Sequence, residues 1–193
     1  MKNLILAIII AFISHVVTLK PEPEPVYAQV VSKPKLLETT EVAEVKPEIT
    51  KWVVTSSPNT RVSVEQINYF LDNFKDRGMS KEGASYLIGN FITESFLTAC
   101  EQSGDGGLAL GLAQWHPGRR QDMPCDLEQQ IEWAINTEMV RDSSGMGYTC
   151  VCEAVKTNDI ELIKYTIQKW ERWGILGSRW DYGQNIYEQI KEQ

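Results

Sequence analysis

The sequence predicts a mostly helical domain of α+β type, in which a glycine-rich loop or small hairpin forms one wall of a cleft. Three observations lead there. Apolar residues recur at helical spacing in five stretches beyond residue 62, each with a capping residue at or near its start. A glycine-rich run, Gly104 to Gly118, separates the second stretch from the third. No repeat at a solenoid period is visible. The chain has 193 residues, 42% of them hydrophobic, which suits one normal core.

The chain opens on a targeting segment. Lys2 supplies a positive start, and Leu4 to Leu19 runs almost without a polar side chain. Val26-Tyr27-Ala28 offers the small or modest residues that a signal peptidase reads, so residues 1–28 form either a signal peptide cleaved after Ala28 or an uncleaved membrane anchor. The apolar run is slightly short of the roughly 20 residues of a spanning helix. The Pro-Glu repeat at Pro21 to Pro25 is awkward for cleavage. Both readings carry the remainder across a membrane, to a secreted, periplasmic or wall-associated location. The membrane would be touched only through this segment, and only if it is retained.

Residues 29–62 are expected to be a flexible linker. Lys33, Lys35, Lys46 and Lys51 balance Glu38, Glu41, Glu44 and Glu48, and no helical or alternating period persists. Such a segment buries too little apolar area to offset its ordering entropy. It would be a tether, or plain disorder.

The folded domain is expected at 63–193. Ser63 and Gln66 form a capping-box pattern ahead of Ile67, Phe70, Leu71 and Phe74, and Gly78 stops the helix. Ser80 caps a second helix with Ala84, Leu87, Ile88 and Phe91 as its stripe. A third begins near Asp126 with Leu127, Ile131, Ala134 and Ile135 inward. A fourth begins at Asp159 and buries Ile163, Ile167 and Trp170. A fifth begins at Asp181, with Gln184 three residues on, and presents Ile186 and Ile190.

The four cysteines, Cys100, Cys125, Cys150 and Cys152, all lie beyond the leader and fit two disulfides in an oxidising compartment. A Cys150–Cys152 bond would close a very small ring, so each is expected to reach Cys100 or Cys125. A zinc site lacks ligand spacing: there is no CxxC pair, and His116 stands alone outside the leader. No metal and no cofactor is expected.

Charge excludes another class. From Arg61 onward there are 13 basic and 20 acidic residues, so the net charge of −7 belongs to the folded part. Phosphate contacts need clustered Lys and Arg, and no basic stripe exists, so no nucleic-acid partner is expected.

Glu94 is the candidate with chemistry. It follows Leu87 by seven residues and Phe91 by three, at the edge of an apolar stripe. A partly desolvated carboxylate there is expected to hold its proton to higher pH, as a general acid of glycoside hydrolysis must. A rim glutamate paired with an arginine or a backbone amide is the plainer reading of the spacing alone.

The surrounding motifs add weight. Gly89-Asn90-Phe91-Ile92-Thr93-Glu94-Ser95 is followed by Gly106-Gly107-Leu108-Ala109-Leu110-Gly111-Leu112-Ala113-Gln114-Trp115. Glu-Ser followed by Gly-Leu-x-Gln resembles the lysozyme-like superfamily, near the goose-type lysozymes and soluble lytic transglycosylases. The fuller order resembles the phage-tail lysozyme domain: Gly78-Met79-Ser80, Ala84, Gly89-Asn90, Glu94-Ser95, Gly111 to Trp115 and Gly118-Arg119. The resemblance covers about Val64 to Ile190.

It implies that Glu94 is the catalytic glutamate, that Ser95 hydrogen-bonds within the site and that Gln114 lines the sugar cleft. Glu94 would protonate the glycosidic oxygen as an oxocarbenium-like state forms, in a muramidase reaction on the N-acetylmuramic acid to N-acetylglucosamine linkage. Gly106, Gly107 and Gly111 would let the protein backbone approach the glycan closely, or form an ordinary turn. Asp105 is the expected second carboxylate and Glu101 the next. If neither serves, the 6-hydroxyl of the sugar attacks and the enzyme is a lytic transglycosylase.

Six Trp and seven Tyr are many for this length. Trp115, Tyr148, Trp180 and Tyr182 lie where side chains can face a groove, and Trp115 and Tyr182 are taken as sugar-stacking. Trp133, Trp170 and Trp173 are taken as core. The expected partner is the peptidoglycan glycan strand, bound by a monomer. A non-catalytic glycan-binding module and a disulfide-stapled structural protein are the rival classes; a serine or cysteine hydrolase finds no nucleophile elbow or triad.

Overall fold

The structure, a computed structural model, describes residues 50–143, 149–172 and 176–193. The expected leader and the linker as far as residue 49 lie outside the described residues.

The ordered fold begins before the expected boundary at residue 63. Trp52–Val53 form a short strand, β1, and Trp52, Val54 and Val62 are buried in the core. A two-residue strand has no period for a sequence to display, and its partner lies at the other end of the chain. Trp52 stands opposite Glu192 and Val53 opposite Lys191, antiparallel. Lys51 N–H donates to Gln193 O at 2.7 Å, and the return bond is 3.0 Å.

Helix α1 (Val64–Asp76) has the predicted capping box: Ser63 Oγ accepts from Gln66 N–H at 3.1 Å, and Gln66 Oε1 accepts from Ser63 N–H at 2.8 Å. Its stripe of Ile67, Phe70, Leu71 and Phe74 is buried. The helix stops at Arg77, ahead of Gly78 in the left-handed region.

Helix α2 (Lys81–Ser95) starts where Ser80 Oγ accepts from Gly83 N–H at 2.9 Å. A one-sided stripe was expected; instead Gly83 through Ile92 are all buried, so α2 is the central helix. It ends in two successive left-handed residues, Phe96 (φ 56°) and Leu97 (φ 61°). That conformation is uncommon outside glycine. The buried Leu97 side chain and the Arg61 guanidinium, 3.6 Å over the Phe96 ring, hold it.

The glycine-rich run is a hairpin. Strand β2 (Ser103–Gly104), a 3-10 turn (Asp105–Gly107) and strand β3 (Ala109–Leu110) follow in order, with Ser103 opposite Leu110. Leu110 also bridges Trp115.

Helix α3 (Leu127–Trp133) is capped by Asp126, whose Oδ1 accepts from Gln129 N–H at 3.0 Å. It runs on through a π turn (Ala134–Glu138) into α4 (Met139–Ser143). Ile131, Ala134 and Ile135 are buried as expected. The short α5 (Val151–Ala154) was not expected. Asp159 caps α6 (Ile160–Glu171), which buries Ile163, Ile167 and Trp170. Helix α7 (Arg179–Gln189) begins two residues before the expected Asp181.

Helices α2 and α7 pack against each other at two glycines. A Cβ on Gly89 would lie 2.5 Å from Gly183 N, and one on Gly183 would lie 2.6 Å from Tyr86 Cδ1. Only a bare backbone permits that approach.

The disulfides correct the expected pairing: Cys100 bonds Cys125, and Cys150 bonds Cys152. Cys100 and Cys125 stand at the two ends of the hairpin region with Cα atoms 5.3 Å apart. Cys150 is the N-cap of α5, and its turn into the helix leaves its Cα 5.1 Å from that of Cys152, a span a disulfide bridges. No helix among the described residues is long and apolar enough to cross a membrane.

Candidate active site

A groove of about 570 Å³ opens between the helical body and the hairpin wall. That volume is within the range usual for small-molecule sites, about 300–1,000 Å³. Glu94 lies in it, on the last turn of α2, with 15% of its side chain exposed. The Arg179 guanidinium, in the first turn of α7, donates through Nη2 to Glu94 Oε1 and through Nη1 to Leu176 O at 2.8 Å. The Gly89–Gly183 approach sets α7 close enough to α2 for this pair to form. Glu94 is therefore half-buried at the edge of the stripe and ion-paired with an arginine, which is the plainer reading of its spacing.

A second carboxyl lies in the same groove. Glu171, the last residue of α6, has an Oε1 buried without a hydrogen-bond partner. Burial pushes its carboxyl well above the usual range; the Glu94 and Glu138 charges push the same way, against Arg119 and Arg179. Glu138 is itself buried on the π turn and is satisfied there. Arg119 Nε donates to its Oε1 at 2.9 Å and the Trp170 indole N–H to its Oε2. Arg172, the left-handed C-cap of α6, completes this wall.

The hairpin supplies the opposite wall. Asp105 and His116 line it, joined Oδ2 to Nε2 at 2.9 Å and both well exposed. Gln114 lines it too. Its Nε2 donates to Gly111 O at 3.0 Å and Gln102 O at 3.3 Å, so the amide nitrogen holds the loop. Its Oε1 sits over Gly104, where a Cβ would come within 2.8 Å.

Three expected substrate contacts fall elsewhere. Ser95 is fully buried, its hydroxyl bonding Leu112 O at 2.9 Å and Phe91 O at 3.2 Å; it fastens α2 to the hairpin region and does not reach the groove. Trp115 is 1% exposed and stacks edge-on against Trp133 and Trp170, at centroid distances of 5.0 and 6.2 Å. Core packing outcompetes the groove for so large an apolar ring. Tyr182 lies outside the groove, its hydroxyl accepting from Asn59 Nδ2 at 3.0 Å. Trp180 packs on Tyr86, and Glu101 is exposed and outside the groove. Of the expected core tryptophans, Trp170 is buried and Trp133 is half-buried against the core; Trp173 and Tyr148 lie outside the described residues.

Sequence reasoning missed Glu171, Arg179 and Arg172. Glu171 follows Ile167 by four residues, on the stripe already identified, and that spacing was the available signal. Among the described residues no group of His, Cys, Asp and Glu could hold a metal ion.

The groove thus sets a half-buried carboxylate on a helix end against a hairpin bearing Gly-Leu-x-Gln. No match is found among curated proteins. The family described as phage tail lysozyme matches residues 65–190, which takes in α1 through α7 and both walls. The chain belongs to the phage tail lysozyme family.

Proposed function

We propose that this domain cleaves the glycan strand of peptidoglycan at the N-acetylmuramic acid to N-acetylglucosamine linkage, with Glu94 as general acid. Family membership implies a lysozyme-like activity on the cell wall, and hence an extracellular or periplasmic place of action. The observation that carries the finer reading is the position of Glu94: a half-buried carboxyl in the groove, facing the hairpin wall and oriented by Arg179. A glycosidic oxygen held between the walls would take its proton from Glu94 as positive charge develops on the sugar. Gln114 Oε1 would accept from a sugar N–H or hydroxyl. Asp105 would activate water from the hairpin side. The leader at 1–28 and a tether behind it would deliver the domain across a membrane, as a monomer.

A second reading has one observation behind it. Asp105 Oδ2 is already bonded to His116. If that bond withholds the carboxylate from water, the sugar 6-hydroxyl closes the reaction, and the enzyme is a lytic transglycosylase.

Digestion of purified peptidoglycan by the protein and by Glu94→Gln, with products read by mass spectrometry, tests both. Gln keeps the shape and removes the transferable proton. The parent is expected to release muropeptides and the variant at least about 100-fold less, the lower end of what general acid catalysis contributes. Reducing ends mean hydrolysis and anhydro ends transglycosylation. A folded parent that binds the wall and releases nothing is a glycan-binding module, and the proposal fails.

A further inference from the structure

Glu94 cannot serve as an acid in the state its neighbour favours. Arg179 pairs with it, and an ion pair holds a carboxylate, whereas the reaction needs a carboxylic acid. The proton has to come from somewhere near, because a groove filled by glycan excludes bulk water.

Among the described residues, Glu171 is the other carboxyl that lines the groove on the helical wall. Its charged surroundings come from every element around it: Glu94 on α2, Arg179 on α7, Arg119 beyond the hairpin, Glu138 on the π turn and Arg172 next in the chain. Asp105 and His116 face the groove from the other side, joined to each other. The two cations whose charge acts on it are engaged by other acids, Arg179 by Glu94 and Arg119 by Glu138. No hydrogen bond reaches Glu171 Oε1. An ionised carboxylate so placed would be buried and unmatched; a neutral one is tolerated.

We propose that Glu94 and Glu171 hold one proton between them, with Glu171 as its resting place and Glu94 as the group that delivers it. This rests on the reading of Glu94 as the acid. As substrate closes over the groove, the O–H bond on Glu171 breaks and an O–H bond forms on Glu94, directly or across one water. The negative charge moves to Glu171, where the Arg119 and Arg179 charges favour it. Glu94 then gives the proton to the glycosidic oxygen. The proton released by the attacking water, by way of Asp105, or by the attacking sugar hydroxyl returns to Glu94 and passes to Glu171, and the pair is back in its resting state. Glu171 acts only through Glu94 and is a positioning residue. Two carboxyls sharing one site are known to split their protonation in this way.

The raised carboxyl of Glu171 fits, and fixes the sign of a stability effect. The folded state holds this proton to higher pH than the unfolded chain does. Its contribution is full below the ordinary glutamate range and is lost as pH rises through the folded value.

Glu171→Gln tests the idea, because Gln has the shape of the neutral acid but no proton to release. The variant is expected to fold, to be at least as heat-stable as the parent above neutral pH, to lose tenfold or more in kcat at pH 7, and to show an optimum shifted to lower pH. A variant with parental rate and pH profile would overturn the proposal, leaving Glu171 a neutral structural group. A second measurement needs no activity. In carboxyl-carbon NMR titration, the Glu171 resonance is expected to shift its titration to lower pH in Glu94→Gln, since one of the charges raising it is gone. An unmoved titration overturns the shared proton. An inactive parent in which the titration does move defeats the peptidoglycan reading and leaves the carboxyl pair standing.

Discussion

The two walls of the groove are held by different physics. The helical wall is a packed core that happens to end in charged residues. Glu94 and Glu171 sit on the last turns of α2 and α6, and Arg179 on the first turn of α7, all behind aromatic rings in edge-to-face contact: Phe70, Phe74, Phe91, Trp170 and Trp115 form a continuous chain. The hairpin wall buries only its base, Ala109, Leu112, Ala113 and Trp115, and leaves its tip bare. Asp105 through Leu108 are exposed, and Asp105, Gly106, Gly107, Gly111 and Gln114 all have positive φ. Beyond that base, what holds it is a short ladder, the Gln114 and Ser95 hydrogen bonds and one disulfide. Burial fixes the wall that carries Glu94 and Glu171, whereas the tip of the hairpin wall rests on hydrogen bonds and one covalent tether.

That contrast can be broken one wall at a time, and the changes rank by their expected effect on stability. The largest is removal of the Cys100–Cys125 disulfide. It spans 25 residues, so chain-entropy reasoning gives about 3.5 kcal/mol. Every hairpin-side residue of the groove, from Gly104 to Arg119, lies within that span. The double variant Cys100→Ala, Cys125→Ala is expected to lose this stability in chemical denaturation, and to lose activity while far-ultraviolet dichroism stays helical. If stability and activity both survive, the hydrogen bonds and the buried base hold the wall without the disulfide, and the contrast is wrong.

How much of each wall could be read from the sequence follows the same division. The helical wall was legible where burial has a period. The stripes of α1 and α6, the Ser63, Ser80, Asp126 and Asp159 caps and the placing of Glu94 on a half-apolar edge all came from spacing. Glu171 was equally legible at Ile167 plus four but was not singled out, because the stripe was followed for its apolar members alone. Arg179 was not, because Ser178 makes no side-chain cap bond and the start of α7 carries no signature. In the hairpin wall motif order located the residues but not their directions. Gln114 adopts φ 49°, and this turn sends Gln114 to the groove and its neighbour Trp115 to the core. Tyr182 was misplaced because its partner, Asn59, lies in a stretch read as linker. The disulfide pairing depends on how α5 turns at Cys150, and α5 has too few residues to show a period.

The helical wall is expected to respond less to a single methyl in stability but more in chemistry. Gly89→Ala puts a Cβ 2.5 Å from Arg179 O and Gly183 N. Both are backbone atoms and cannot swing aside, so α7 must shift. Overpacking of this kind destabilises by about 1–3 kcal/mol. Because the shifted helix carries Arg179, kcat/KM is expected to fall by more than the stability loss accounts for at temperatures where the variant is fully folded. Parallel denaturation and kinetics check this. A variant that loses stability and keeps its rate would show that the Glu94–Arg179 pair tolerates the movement.

The smallest stability effect belongs to Asp105→Asn, and it decides what the hairpin wall does. The Asp105–His116 contact joins side chains that are 66% and 56% exposed, and exposed pairs contribute about 0–1 kcal/mol. Asn retains a hydrogen bond to His116 and removes the negative charge, so unfolding is expected to change by no more than about 0.5 kcal/mol. Activity separates the two chemistries. If Asp105 activates water, the variant forms reducing-end products at least about tenfold more slowly, because a positioned general base is worth roughly 100-fold or more. If the sugar 6-hydroxyl attacks, product formation continues near the parental rate with anhydro ends. The hairpin wall would then only close the groove, and all the proton chemistry would belong to the carboxyls of the helical one.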